Sequence, residues 1–523
     1  MKFNRTKNAS RNIVFGLIQR VYQLLVPFLM RTAMIYWLGV EYLGLDGLFT
    51  SILSVLNLAE LGVGSAMVYA MYKPVAEDNK EKICAYMYLY RVYYRIIGVL
   101  VLVGGLVLCP FIPYLISSDI PNDINIYILF LLNLFATVLS YWLYAYKNSL
   151  LHAYQRMDII SKVTMLINTI KYILQFLLLF VFHDYYMYLI VSLVSQAMTN
   201  ATTAYVVNNM FPGYDAVGKL EKQEVKTINQ RIRDLFTAKV GAVVVNSMDT
   251  LIISAFLGLN VLAIYHNYYY IVTALLSIVN IFIYSCTAGI GNSLIVETKE
   301  KNFNDMNLFT FIIFCISFFC TSCLLCIYQP FMELWVGKDL MFELPAVICF
   351  SSYFFVVQIN TLLNTYKDAA GIWHEDRFRP LVTAIVNLLM NLLTVKFLGV
   401  YGVLLSTVLS MLLVGMPWLL KNLFTTIFKP DMSNSYVKKL LEYTFIASLG
   451  ISCSYIISIL VPFEGIILII CRGLICFIIS IFCICLFFRK TVEFKQTIQL
   501  ADRITKNKLK LEKFITKGGN CNE

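Results

Sequence analysis

Long runs of apolar residues, separated by short polar connections, extend over almost the whole chain. Most runs contain roughly 18–28 residues, and a helix of that length crosses a hydrocarbon core about 30 Å thick. Because backbone groups in lipid must be hydrogen-bonded within their own segment, the runs predict helices rather than barrel strands. The pattern predicts about fourteen transmembrane helices, at residues 12–38, 44–72, 83–111, 122–147, 160–182, 185–210, 236–257, 261–296, 307–328, 343–366, 378–398, 402–428, 440–461 and 465–488.

Composition excludes an ordinary soluble protein. Of the 523 residues 59% are hydrophobic and 14% are charged, whereas globular chains average about 25% charged residues. The 14 cysteines and four histidines show no metal-ligand spacing, and the C-x2-C-x2-C run that begins at Cys320 lies in an apolar segment without a nearby His or carboxylate. The sequence therefore predicts an all-α polytopic membrane protein, with no metal site, cofactor or catalytic residue.

The distribution of Lys and Arg predicts the orientation. With a cytoplasmic N-terminus, the inner connections and both tails hold 34 of the 42 basic residues, and the outer connections hold Lys338 and Lys396 alone. By the positive-inside rule both termini are cytoplasmic. The later part of the connection 211–235 suits a basic amphipathic helix on the inner leaflet, with a solvated linker as the alternative.

A short motif repeats along the chain. Residues 38–44, Leu-Gly-Val-x-Tyr-Leu-Gly, recur as Leu-Gly-Leu-x-Val-Leu-Ala at 257–263. Six predicted helices separate the copies, so the two halves would be parallel six-helix lobes around a central cavity. The predicted domains are an N-lobe at 1–210, a cytoplasmic linker at 211–235, a C-lobe at 236–428, helices 13 and 14 at 429–488 and a basic cytoplasmic tail at 489–523.

Two carboxylates stand out within the predicted spans. Glu60 lies about midway along the second span, on one face with Asp46, Thr50 and Asn57, and Asp249 lies at mid-depth in the seventh span. A carboxylate at the centre of a membrane helix is unfavourable by about 2.5–3.5 kcal/mol, so such residues face protein or water. We predict that Glu60 and Asp249 couple transport to H⁺ or Na⁺, and the membrane potential acting on a charged substrate is the alternative energy source. The structural alternative for the carboxylates is neutralisation by a neighbouring helix.

The predicted N-lobe has surplus positive charge inside its spans, from Arg20, Arg31, Arg91, Arg95 and Lys171. Arg20, Arg91 and Arg95 lie near enough to the inner surface for their side chains to reach it. Arg31 and Lys171 lie deeper, and for these two a structural ion pair is the alternative to substrate binding. Since the arginine fork fits phosphate oxygens, the pattern favours an anionic, hydroxyl-rich amphiphile as substrate. The predicted substrate-binding residues are these five cations together with the amides Asn57, Asn360 and Asn364.

Tyrosines are dense on the third helix, at Tyr86, Tyr90, Tyr93 and Tyr94, and again on the eighth helix. Some tyrosines of a membrane protein belong to the aromatic belts at the two membrane–water interfaces. The others can line a polar cavity, where they would meet sugar hydroxyls or ring faces. The sequence does not distinguish the two groups.

Three stretches carry a family resemblance. Residues 56–82, LNLAELGVGSAMVYAMYKPVAEDNKEK, resemble the second-helix signature of bacterial polysaccharide flippases, the Wzx-like branch of the multidrug/oligosaccharidyl-lipid/polysaccharide (MOP) exporter superfamily. Residues 248–271 and 364–407 also resemble that family, and Glu60 and Asp249 lie within the matching stretches. The resemblance implies alternating access of two lobes, with cationic residues of the lumen holding the diphosphate of undecaprenyl-diphosphate-linked oligosaccharides.

The resemblance also implies a location and partners. It places the chain in the bacterial cytoplasmic membrane, in surface polysaccharide biosynthesis, with a polysaccharide polymerase and glycosyltransferases as candidate partners and no nucleic acid. The alternatives are a multidrug antiporter, whose commonly cationic ligands the positive N-lobe opposes, and a lipid II flippase. A membrane glycosyltransferase or polymerase would need a longer outer loop, and an ATP-driven transporter would need a G-x-x-x-x-G-K-[ST] motif, which is absent from the chain.

Overall fold

The computed structural model describes residues 5–117 and 124–504, and the helical fold predicted from the sequence is confirmed. Each of the fourteen predicted segments contains helix within these residues. Ten helical segments of the described residues are long and apolar enough to cross a membrane, and some of them join two consecutive helices. The number is eleven if the pair Ile126–Trp142 and Ala145–Ala153, bent by 47°, forms one span. The count of fourteen spans stays a prediction.

The helices are α1 Arg5–Trp37, α2 Val40–Leu56, α3 Val63–Ala76, α4 Lys80–Leu108, α5 Ile126–Trp142, α6 Asn148–Ala153, α7 Met157–Phe182, α8 Tyr185–Met210, α9 Lys222–Leu257, α10 Leu259–Ser285, α11 Thr287–Val296, α12 Lys299–Val336, α13 Leu344–Ala370, α14 Arg379–Leu398, α15 Val400–Ser410, α16 Met416–Thr426, α17 Met432–Ile459, α18 Gly465–Phe488 and α19 Val492–Ile504.

The chain forms two compact units. Unit 1 extends to His266 and includes Asn391–Gly399, and unit 2 contains Asn267–Met390 and the chain from Val400 onward. The lobe, linker and tail boundaries derived from the sequence stay predictions. Residues 505–523 of the predicted tail lie outside the described residues.

The second predicted span is broken, whereas the sequence predicted one helix over residues 44–72. Helix α2 ends at Leu56, a 3₁₀ turn covers Asn57–Glu60, and α3 begins at Val63. Gly62 has φ +89°, a left-handed conformation that side-chain-bearing residues disfavour. Glu60 therefore lies at an interruption of the helix and not within a continuous one.

Helix α9 packs against this broken span at its two ends. A Cβ on Gly44 would lie 2.5 Å from the carbonyl oxygen of Leu259, which follows α9, and a Cβ on Gly62 would lie 2.7 Å from Leu235 Cβ. Real Cβ atoms essentially never come this close to other heavy atoms. Close packing at both ends therefore requires glycine, against backbone at Gly44 and against a side chain at Gly62, where the conformation requires it as well.

Gly62→Ala is expected to destabilise the protein by about 2–5 kcal/mol. Left-handed backbone is unfavourable for alanine by roughly 1–2 kcal/mol, and overpacking adds typically 1–3 kcal/mol. Gly289→Ala in α11 is the matched control, because no heavy atom of the described residues lies within 4 Å of a Cβ at that position. Thermal unfolding of both purified variants would measure the difference, and equal midpoints would contradict the packing argument.

The two copies of the repeated motif share a backbone conformation. Gly39 has φ 116° and ψ 170°, and Gly258 has φ 89° and ψ 173°. Each glycine directly precedes a helix, α2 in the first copy and α10 in the second. The motif therefore encodes the same elbow twice, while the parallel arrangement of two six-helix lobes stays a prediction.

The predicted linker is in part an extension of the seventh span. Helix α9 begins at Lys222 and continues without a break to Leu257, so the amphipathic helix expected in 211–235 is not a separate element. It packs against α3 and α4: Lys82 Nζ lies 2.5 Å from Glu224 Oε1, and Tyr93 donates to Asn229 Oδ1 at 2.6 Å. These contacts therefore hold the N-terminal part of α9 to the other helices of unit 1.

In unit 2, aromatic side chains join the last helices to α12. Phe311, Phe314 and Phe318 of α12 form one buried cluster with Tyr443 of α17 and Phe488 at the end of α18. Large aromatic side chains each bury about 150–250 Å², so this cluster is a major part of the packing. The two helices that follow the predicted C-lobe are thus integral to unit 2.

Candidate functional site

Two of the predicted cations share a carboxylate in unit 1. Asp46 of α2 lies within electrostatic range of Arg31 on α1 and Lys171 on α7, and the Tyr185 hydroxyl donates a hydrogen bond to it. Arg31, Asp46 and Lys171 are all partly buried. The Lys171 Nζ also lies 4.0 Å from the centroid of the Tyr172 ring. We call Arg31, Asp46 and Lys171 the cation cluster; its formal charge is positive.

Sequence reasoning did not identify the neighbours of this cluster. Tyr188 of α8 lies within electrostatic range of Asp46 and Arg31. His266 of α10 lies against α2 at Gly47, and its buried Nε2 has no hydrogen-bond partner among the described residues. The shared polar face of the second helix pointed to Asp46. A lone histidine or tyrosine in an apolar run carries no comparable signal.

The other predicted cations have different surroundings. The Arg91 guanidinium lies 5.2 Å from the Tyr88 ring centroid and 5.9 Å from that of Tyr146. Arg20 and Arg95 are exposed. Arg31 and Lys171 are therefore the predicted cations that the structure brings together around one carboxylate, and a substrate role for the other three stays a prediction.

Glu60 is held by a chain of tyrosine hydroxyls. Tyr90 donates to the Tyr94 hydroxyl at 2.7 Å, and Tyr94 donates to Glu60 Oε1 at 3.1 Å. In the same region Tyr141 donates to Asn57 Oδ1 at 2.9 Å. The 3₁₀ turn that carries Asn57 and Glu60 is thus fixed by side chains of α4 and α5.

A cavity of about 570 Å³ lies beside Glu60, within unit 1. Fourteen residues separate Asp46 from Glu60, which corresponds to about 20 Å along a span at 1.5 Å per residue. The cavity and the cation cluster are therefore two features at different depths. The residues that line the cavity include Glu60, Ser65, Tyr69, Tyr72, Tyr90, Tyr94, Asn148 and His152.

Asp249 has its own partner. It is only 5% exposed, and Asn391 Nδ2 donates to its Oδ1 at 2.6 Å. A buried carboxylate with an amide partner can hold a proton or a small cation. Its role in ion coupling stays a prediction.

The predicted amides of the tenth span belong to a network in unit 2. Arg379 donates to both carboxylate oxygens of Asp376, at 2.6 and 2.7 Å, and its Nη2 donates to Asn364 Oδ1 at 2.8 Å. Asn364 in turn donates to the backbone oxygen of Asn360 at 2.8 Å. Asn360 Oδ1 is buried without a hydrogen-bond partner among the described residues. The Asn364 side chain is thus hydrogen-bonded within unit 2, and Asn360 keeps an acceptor for water or a ligand. The predicted substrate role of both amides stays a prediction.

Comparison with known proteins gives a fold. No family model matches the sequence, and no curated protein matches it. Among solved structures, the chain is similar to a lipid II flippase MurJ in an inward closed conformation, with TM-score 0.62 and 15% identity over 92% of this chain and 100% of that chain.

Two transporters of the MOP superfamily are also similar. An inward-facing multidrug resistance transporter of the MATE family has TM-score 0.61 and 14% identity, over 81% of this chain and 99% of that chain. A transporter from Pyrococcus furiosus has TM-score 0.51 and 12% identity, over 79% of this chain and 95% of that chain. The chain is a multi-pass membrane protein, and its fold is that of the MurJ flippase and of these two transporters.

Proposed function

We propose that the chain is a flippase that moves undecaprenyl-diphosphate-linked oligosaccharide repeat units from the inner to the outer leaflet of the bacterial cytoplasmic membrane. In this proposal it acts by alternating access and supplies surface polysaccharide biosynthesis, with both termini in the cytoplasm. The observation that carries the proposal is the cation cluster, in which Arg31 and Lys171 both lie within electrostatic range of Asp46. All three residues belong to spans that the sequence predicts. A reporter fused after Arg489 would test the orientation.

The cluster suits a diphosphate for electrostatic reasons. Charged groups inside a membrane protein are unfavourable unless they are paired, and they mark substrate or ion pathways. Asp46 compensates one of the two positive charges, which lowers the repulsion between them when no substrate is bound. One net positive charge remains to attract an anion. Arginine binds phosphate oxygens through two parallel hydrogen bonds, and lysine adds a point charge. A cationic drug would meet net repulsion at this cluster.

A lipid II flippase is the second candidate. The MurJ structure is matched over 100% of its length and covers 92% of this chain, whereas the inward-facing MATE structure covers 81%. Both flippase hypotheses involve a polyprenyl-diphosphate lipid and differ in the glycan. Both hypotheses therefore predict that the cation cluster binds the diphosphate. They differ in which lipid-linked glycan accumulates when the gene is deleted.

Deletion of the gene should leave lipid-linked repeat units on the cytoplasmic leaflet and remove the surface glycan. The reason is that the proposed substrate has no other route when no paralogue is present. The measurement is the amount of surface polysaccharide and of lipid-linked intermediates, with the wild-type chain restored as the control. Normal surface glycan would contradict the proposal, and accumulation of lipid II would select the second candidate. Co-purification from the native membrane would test the proposed polymerase and glycosyltransferase partners.

Asp249→Asn tests the proposed coupling to H⁺ or Na⁺. The change removes the charge and keeps a side chain that can pair with Asn391, so the fold should be retained. We expect transport in proteoliposomes to lose its dependence on the ion gradient, or turnover to fall, while substrate binding is spared. Glu60→Gln is the parallel variant for the other predicted coupling residue. Unchanged gradient dependence in both variants would mean that neither carboxylate carries the ion.

A further inference from the structure

The cavity beside Glu60 has an aromatic wall that is fixed in place and accessible. Tyr69 and Tyr72 of α3 are 60% and 47% exposed, and their rings meet edge to face with centroids 6.1 Å apart. The Arg231 guanidinium lies 4.5 Å from the Tyr69 ring centroid. Arg231 and Tyr72 thus restrict the orientation of Tyr69 without covering the whole ring. Aromatic rings held in this way present apolar faces to a ligand.

Some polar groups of the cavity lining are also held in place by hydrogen bonds. Glu60 accepts the hydrogen bond of Tyr94, which itself accepts that of Tyr90, so the carboxylate is oriented before any ligand arrives. Asn148 and His152 of the short helix α6 line the same cavity. Carboxylate, amide and imidazole groups can each hydrogen-bond to hydroxyls, and bonds to a charged acceptor are stronger than bonds between neutral groups.

We propose that the cavity lined by Tyr69, Tyr72, Tyr90, Tyr94 and Glu60 binds sugar rings of the lipid-linked oligosaccharide. This inference rests on the proposed function. A sugar ring has apolar C–H faces and a rim of hydroxyls, which match tyrosine faces and the oriented polar groups. The volume of about 570 Å³ lies within the range of small-molecule sites. A diphosphate fits this cavity poorly because Glu60 would repel it.

The position along the span agrees with this assignment. In the predicted topology the second span runs inward, so Glu60 lies on the cytoplasmic side of Asp46. A lipid-linked oligosaccharide loaded from the inner leaflet, with its diphosphate at the cation cluster, would extend its sugars toward this side. An organic cation is the competing ligand, since tyrosine rings and a carboxylate also attract cations. Arg231 on Tyr69 disfavours it, because a second cation on this wall would meet a like charge.

The test compares two probes on the full-length protein in nanodiscs. One probe is undecaprenyl diphosphate without sugar, and the other is the lipid-linked oligosaccharide purified from the deletion strain. Tyr72→Ala should weaken binding of the oligosaccharide roughly two- to tenfold, the range expected for loss of one aromatic contact, and leave the sugar-free probe unchanged. Tyr72→Phe keeps the ring and should retain most of the affinity. Tyr205→Ala, at a 67% exposed tyrosine of α8 outside this cavity, is the matched control.

Each outcome has one meaning. Equal losses for both probes, or no loss for either, would overturn the sugar site while the flippase proposal stands. If Tyr72→Ala weakens binding of tetraphenylphosphonium but not of the oligosaccharide, the cavity binds cations and the proposal is overturned. If the wild-type chain binds neither undecaprenyl compound, the proposed function fails and this inference fails with it.

Discussion

Arg31→Glu is expected to abolish transport while the protein remains in the membrane at near wild-type amounts. The substitution turns the cation cluster into two carboxylates around Lys171, so its formal charge becomes negative and repels a diphosphate. Near wild-type abundance is expected because Lys171, which lies within electrostatic range of Asp46, remains as a counter-ion in the cluster. Arg31→Lys should retain partial activity, since the charge remains and the two-pronged geometry is lost. Transport and membrane abundance are measured side by side.

The controls separate substrate binding from ion pairing. Lys338→Glu reverses a charge in the exposed connection between α12 and α13, where Lys338 is paired with Glu333 at 3.3 Å, and should change neither quantity. If Arg31 serves only to neutralise Asp46, then Arg31→Gln should retain transport, because Lys171 still compensates that carboxylate. If Arg31 binds the substrate, Arg31→Gln is inactive although Asp46 and Lys171 remain paired. Wild-type transport by Arg31→Glu would rule out the cation cluster as the binding site.

Asp376→Ala is expected to destabilise the protein by about 3–5 kcal/mol. Asp376 is 2% exposed and Arg379 is 6% exposed, so removing the carboxylate leaves a buried guanidinium without its counter-ion. The same carboxylate accepts a hydrogen bond from Asn422 Nδ2 at 3.0 Å, which links the loop before α14 to α16. The measurement is the thermal unfolding midpoint of the purified protein, together with its abundance in the membrane.

Asp368→Ala is the matched control for this prediction. Asp368 pairs with Lys367 at 3.0 Å, yet its side chain is 50% exposed. Exposed ion pairs contribute about 0–1 kcal/mol, so little change is expected. Equal destabilisation by the two variants would show that burial does not determine the strength of the network. Asn364 belongs to the same network, because its side-chain oxygen accepts a hydrogen bond from Arg379.

Much of the fold could be predicted because the bilayer restricts the possible structures. A hydrocarbon core of about 30 Å sets the length of each apolar run, and the lack of water requires backbone hydrogen bonds within the segment. These two conditions act locally, so composition and spacing suffice to find the helices. The glycines at 39 and 258 could be recognised from the repeated motif because a positive φ is a local requirement, which a single residue type satisfies.

The helix break at Gly62 was not predictable in the same way. Residues 44–72 are apolar on both sides of the break, so hydropathy shows one continuous run. What distinguishes the site is the approach of Leu235, which lies more than 170 residues away in sequence. A glycine in an apolar run is compatible with close packing, with a kink or with neither. Only the neighbouring helix decides between these possibilities.

For the candidate site, too, some features follow from the sequence and others depend on the packing of the helices. The residue types were determined by the sequence alone: surplus Arg and Lys in the first spans, a carboxylate at mid-depth and an excess of tyrosine. Their partners depended on tertiary structure, which placed Asp46 between Arg31 and Lys171 and selected Tyr90 and Tyr94 for the cavity. The physical reason is that the charge of a side chain is a local property. Its neutralisation, exposure and ligand depend on side chains from helices distant in sequence, which approach only when the helices pack.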